Sequence, residues 1–146
     1  MNNILRGLYS GLIAGAIVAI LYFVDYGPGN GLYGVARWFA FDDKNSGRLI
    51  GFLLLIVLGG LFGLLFGVLQ GKREISIGRA IATGLGLGVA WWVIFAFLVS
   101  LVVGHMSLAA FNLGSFLYPF MLCLVYGLLL ATIYFQSTVR RAMHAK

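Results

Sequence analysis

Four polar residues of this chain could meet on one side of a membrane. Asp25 closes the first apolar run, Arg37 lies in the loop after it, His105 ends the third apolar run, and Asn112 follows shortly after. A carboxylate, a guanidinium, an imidazole and an amide brought together could hold a polar ligand or contact a pigment or a metal. The plainer role is solvation where helices leave the bilayer. The other reactive types are scattered. A haem held by two histidines is disfavoured because His144 falls on the opposite side. The stretch Asp42-Asp43-Lys44-Asn45-Ser46-Gly47 offers oxygen atoms, but it lacks the spacing and terminal glutamate of a calcium loop and reads as a solvated turn. Cys123 is the only cysteine, which leaves no intrachain disulfide and no cysteine metal site. It reads as a small packing residue. No nucleophile with a base, no carboxylate pair and no ligand cluster is legible. The expectation is therefore no catalytic residue, no metal site and no enzymatic activity.

The elements that must carry these residues are apolar. Of 146 residues, 62% are hydrophobic and 10% charged, and mean hydropathy is +1.02. A soluble domain has roughly a quarter of its residues charged, so the composition points to a membrane protein. Four runs of about 20 residues, at 4–24, 49–70, 80–103 and 116–136, are each long enough to cross a hydrocarbon core of about 30 Å. Together they leave no room for a separate soluble domain, and 1–146 is expected to be one integral membrane domain. The first run could be mistaken for a signal peptide. It is as long as a full span, and Asp25-Tyr26-Gly27-Pro28 is a poor cleavage site, so it reads as a retained helix.

The net charge of +6 sits in loops and tail, and no Asp, Glu, Lys or Arg occurs from Ala80 to Val139. With four spans, Arg6, Lys72, Arg73, Arg79, Arg140, Arg141 and Lys146 share one side. Arg37, Lys44 and Arg48 share the other. That imbalance places both termini in the cytoplasm of a bacterial inner membrane by the positive-inside rule. Membrane lipid is the natural partner of these charges, and no basic face suits nucleic acid.

Small residues recur at every fourth position of the spans. The rows are Gly7, Gly11 and Gly15; Gly59, Gly63, Gly67 and Gly71; Ala80, Gly84 and Gly88; and Cys123, Gly127 and Ala131. Positions four apart share a helix face. A face without side chains lets another helix approach closely, which matters because lipid gives no hydrophobic push between helices. The rows also suggest a repeat. Arg6-Gly7, Ser10-Gly11 and Gly15 align with Arg79-Ala80, Thr83-Gly84 and Gly88, while Phe62-Gly63-Leu64-Leu65 aligns with Tyr126-Gly127-Leu128-Leu129. The expected fold is an all-α membrane protein of four transmembrane helices in two hairpins of like orientation, related by an axis along the membrane normal.

Two apolar segments fall on the outer side. Segment 31–41 reads as a short interfacial helix with Arg37 snorkelling. Segment 106–115 is uncharged and could lie on the membrane, enter it or be covered by a partner. Tyr118-Pro119 is expected to start the fourth helix, where proline costs least.

Known small four-span families are excluded by their own requirements. The embedded glutamate of small multidrug transporters is missing, as is the Cys-x-x-Cys pair of vitamin K epoxide reductases. The chain also lacks the intramembrane Arg, Asn and Glu of glutathione-using transferases and the buried Asn and paired Phe of fluoride channels. Through its four glycine-rich spans the chain resembles small four-helix proteins of bacterial inner membranes whose activity is uncharacterised. That resemblance implies a fold and no activity. The leading expectation is a non-catalytic subunit that packs through glycine-lined helix faces with copies of itself or with larger membrane subunits. The alternative is a small pore for an uncharged or anionic solute, lined by Ser10, Thr83, Ser100 and Thr132. No cofactor is evident, although aromatic stretches such as 89–97 would accept lipid, quinone or pigment.

Overall fold

The computed structural model describes residues 2–25, 36, 43–71, 76–94 and 113–144. These form four helices: α1 (Asn3–Asp25), α2 (Lys44–Gln70), α3 (Ile77–Trp92) and α4 (Leu113–His144). Capping fixes where two of them begin. The Asp43 carboxylate accepts the Ser46 N–H at 2.8 Å, and the Ser76 hydroxyl accepts the Arg79 N–H at 3.3 Å. Both satisfy donors that the first turn of a helix leaves open. α2 stops at Gly71, whose φ of +59° is a left-handed value that suits glycine.

The helices alternate in direction. The start of α1 meets the end of α2, with Gly7 on Gly67, and the later Gly15 meets Leu55 and Gly59. Gly84 and Gly88 of α3 face Gly127 and Cys123 of α4, again in reverse order. α1 and α4 are also antiparallel. Tyr22 packs edge-on against Tyr118 at one end, and Arg6 donates to Thr138 at the other. α1 packs most heavily on α2, and α3 on α4.

Three helices, over Asn3–Val24, Lys44–Gln70 and Leu117–Val139, are long and apolar enough to cross a membrane. α3 is described over 16 residues, about 24 Å of helix. The described residues continue to Ile94, and 95–103 of the expected third span lie outside them. Of segment 31–41 only Ala36 is described, and it is helical and buried. Of segment 106–115 only the last three residues are described, and they are helical.

The expected helix start at Tyr118-Pro119 is corrected. α4 begins at Leu113, so Pro119 lies inside it. Proline removes one N–H from the ladder. In a nonpolar medium the remaining backbone groups still need internal partners, which favours continuing the helix through it.

Candidate functional site

The small-residue rows lie where helix backbones touch. A methyl group added to Gly11 would sit 2.7 Å from the Gly63 Cα, and one on Gly59 would sit 2.8 Å from the Gly15 Cα. Gly7 faces the Gly63 carbonyl, and a methyl on Gly67 would come within 3.0 Å of the Ile4 Cα. In the second pair of helices, Gly88 faces the Cys123 carbonyl. A methyl on Gly127 would lie 2.7 Å from the Gly84 carbonyl carbon, and one on Gly84 would lie 3.0 Å from the Ala131 Cβ. All ten of the small residues Gly7, Gly11, Gly15, Gly59, Gly63, Gly67, Gly84, Gly88, Gly127 and Ala131 therefore lie against another helix of the same chain. Apart from the Ala131 methyl against Gly84, the contacts are backbone on backbone.

Aromatic rings join the two tight pairs. Trp91 of α3 stacks on Phe62 of α2 at 4.8 Å and meets Tyr126 of α4 edge-on at 4.5 Å. Phe66 of α2 meets Tyr134 of α4 at 5.1 Å. The Tyr126 hydroxyl donates to the Gly59 carbonyl at 2.6 Å, which ties the α4 ring to the seam between α1 and α2. Trp91, Tyr126, Phe66 and Tyr134 are buried and Phe62 is half-buried.

A polar node closes the end of the bundle that carries the start of α1. Arg6 is 8% exposed and donates to the Thr138 hydroxyl at 3.4 Å. Thr138 in turn donates to the Tyr134 carbonyl at 3.0 Å, and Asn3 donates to the Gly71 carbonyl. Gln70 follows Phe66 by one turn on α2 and is 1% exposed. Neither its amide nor the Tyr134 hydroxyl has a hydrogen-bond partner among the described residues. Leaving such groups unpaired costs about 1–3 kcal/mol each, so the node holds polar capacity that the described helices do not consume.

The outer cluster cannot be assembled from the described residues. Asp25 ends α1, while Arg37, His105 and Asn112 lie outside them. Of the residues expected to line a pore, three are described. Ser10 is buried, whereas Thr132 is exposed and turns its hydroxyl back to the Leu128 carbonyl. Thr83 likewise donates to the Arg79 carbonyl, at 2.9 Å, and Ser100 lies outside the described residues.

Sequence reasoning missed Gln70 and Tyr134, and counted Arg6 only toward orientation and the sequence repeat. A signal for Gln70 existed: it continues the helix face of Gly59, Gly63 and Phe66 at spacings of three and four. Comparisons with protein-family models, with curated proteins and with solved structures return no match.

Proposed function

We propose that this chain is a non-catalytic integral membrane subunit. Its four helices all cross the bilayer as two hairpins of like orientation, with both termini in the cytoplasm of a bacterial inner membrane. It packs with copies of itself or with a larger membrane complex. The like-hairpin reading is supported by the pairing of equivalent positions. Gly11 meets Gly63 as Gly84 meets Gly127, and Gly15 meets Gly59 as Gly88 meets Cys123. The cytoplasmic termini are supported by the Lys and Arg distribution.

The observation that carries the subunit reading is the division of α2 into two faces. One is its glycine row, used up against α1. The other is a ridge of Leu49, Leu53, Val57, Leu61, Leu65 and Leu69, exposed and spaced by four along the helix. Ridges of that spacing fit the grooves of a neighbouring helix. A partner would use this ridge, because the glycine rows are already occupied. The test is the mass of the particle extracted in mild detergent. An oligomer or complex is expected, and Val57→Trp with Leu61→Trp should reduce it to single chains that stay helical. A wild-type particle of one chain alone would sink the subunit reading and leave the pore alternative, checked by solute flux in proteoliposomes.

A further inference from the structure

At the end of the bundle opposite Arg6, α1 and α2 part and leave a cavity of about 420 Å³ lined by Ile20, Phe23, Asn45, Arg48, Leu49 and Phe52. Its lining changes character along the helix axis. Asn45 and Arg48 stand in the first turns of α2, and Phe52 lies one turn, about 6 Å, deeper. Ile20 and Phe23 supply the facing wall from the last turns of α1. The Arg48 Nε is buried and has no partner among the described residues. Lys44 adds a second cation one turn before it, while the neighbouring Asp43 carboxylate is engaged with the Ser46 N–H of its own cap. The outer edge of the groove faces the surroundings, since Ile20, Phe23 and Leu49 are exposed apolar side chains.

We propose that this groove is a binding site for one anionic phospholipid, with its phosphate on Arg48 and Asn45 and an acyl chain along Ile20, Phe23, Leu49 and Phe52. Three features select this occupant. A guanidinium matches a phosphate in two-pronged geometry. Two cations within one turn favour a headgroup of net negative charge. The step from polar to apolar lining within about 6 Å matches the boundary between headgroup and chain.

The test reconstitutes the full chain into bilayers of equal phosphatidylglycerol and phosphatidylcholine, extracts it gently, and counts retained lipids by native mass spectrometry. One phosphatidylglycerol per chain is expected, preferred over phosphatidylcholine and not displaced by inorganic phosphate. Arg48→Gln should lower its retention by roughly fivefold, as expected for one cation near an anionic surface, with Arg48→Lys recovering part. Ile20→Trp, which fills the groove from an exposed position, should also remove the lipid. Arg79→Gln, at the other end of the bundle, should leave it in place. Retention of the two lipids in their bulk ratio would overturn the proposal. So would wild-type retention in Ile20→Trp, which still decides the matter if Arg48→Gln does not fold.

Discussion

At the scale of single residues, the glycines of α3 separate two roles that the sequence presents alike. Gly84 and Gly86 lie two positions apart on the same helix. A methyl on Gly84 would press on the Gly127 carbonyl and the Ala131 Cβ, while one on Gly86 would meet nothing within 4 Å. Gly84→Ala is therefore expected to destabilise the protein by about 1–3 kcal/mol through overpacking. Gly86→Ala should be neutral or stabilise by up to about 1 kcal/mol, because alanine restricts the unfolded chain and favours helix. Unfolding curves in mixed detergent micelles would measure both. Equal effects would show that close helix approach is not what Gly84 provides. That the row shares one helix face was legible because spacing by four needs no partner to be recognised. The partner was not, since a bare face does not name what packs on it. Arg6 and Arg79 show the limit more sharply. They align in sequence, each followed by a small residue, yet Arg6 is buried beside Thr138 and Arg79 is exposed at the start of α3. The difference comes from the far end of α4, which passes Arg6, and no local pattern around either arginine encodes it.

At the scale of elements, spans one, two and four were readable from apolar runs alone, while their ends depended on caps. The second span, expected at 49–70, begins earlier because Asp43 caps α2 at Lys44. The Asp43 carboxyl is held below its ordinary value of 3.8, chiefly by its side-chain hydrogen bond with Ser46. A group whose folded pKa is lowered adds stability that is complete above the unfolded value and is lost as pH falls through the folded one. Acidification should therefore fray the start of α2, and raising the pH above neutrality should not. Asp43→Asn, which still caps but does not titrate, should remove this acid sensitivity. Unfolding midpoints compared between about pH 6 and pH 3 would show the wild type weakening more than the variant; parallel curves would place the acid sensitivity elsewhere. The beginning of α4 was misread for a related reason. Proline is a strong local signal for a first turn, but in a nonpolar medium the need for internal backbone bonds outweighs it.

At the scale of the whole molecule, the chain has two kinds of joint. Within each helix pair, glycine faces bring backbones together; between the pairs, Phe62 stacks on Trp91, Phe66 meets Tyr134, Tyr22 meets Tyr118, and the Tyr126 hydroxyl bonds the Gly59 carbonyl. Each helix satisfies its own backbone bonds, so an apolar helix can persist in lipid after losing its neighbours. The joints should then fail separately. Trp91→Leu removes the Phe62 stack between the pairs and the Tyr126 contact inside the second pair while leaving every glycine in place, and is expected to cost about 2–3 kcal/mol. Titration with a denaturing detergent should separate the pairs at a lower concentration than in the wild type, while far-ultraviolet circular dichroism holds steady. Gly63→Leu should instead open the α1 and α2 seam, because its side chain would have to occupy the space of the Gly11 backbone. A Phe62→Leu, Trp91→Leu double-mutant cycle would isolate the stacked pair, with a coupling of about 0.5–1.5 kcal/mol expected. If Trp91→Leu separates no earlier than the wild type, the joint between the pairs rests on contacts other than these rings, with the Arg6 node the first place to look.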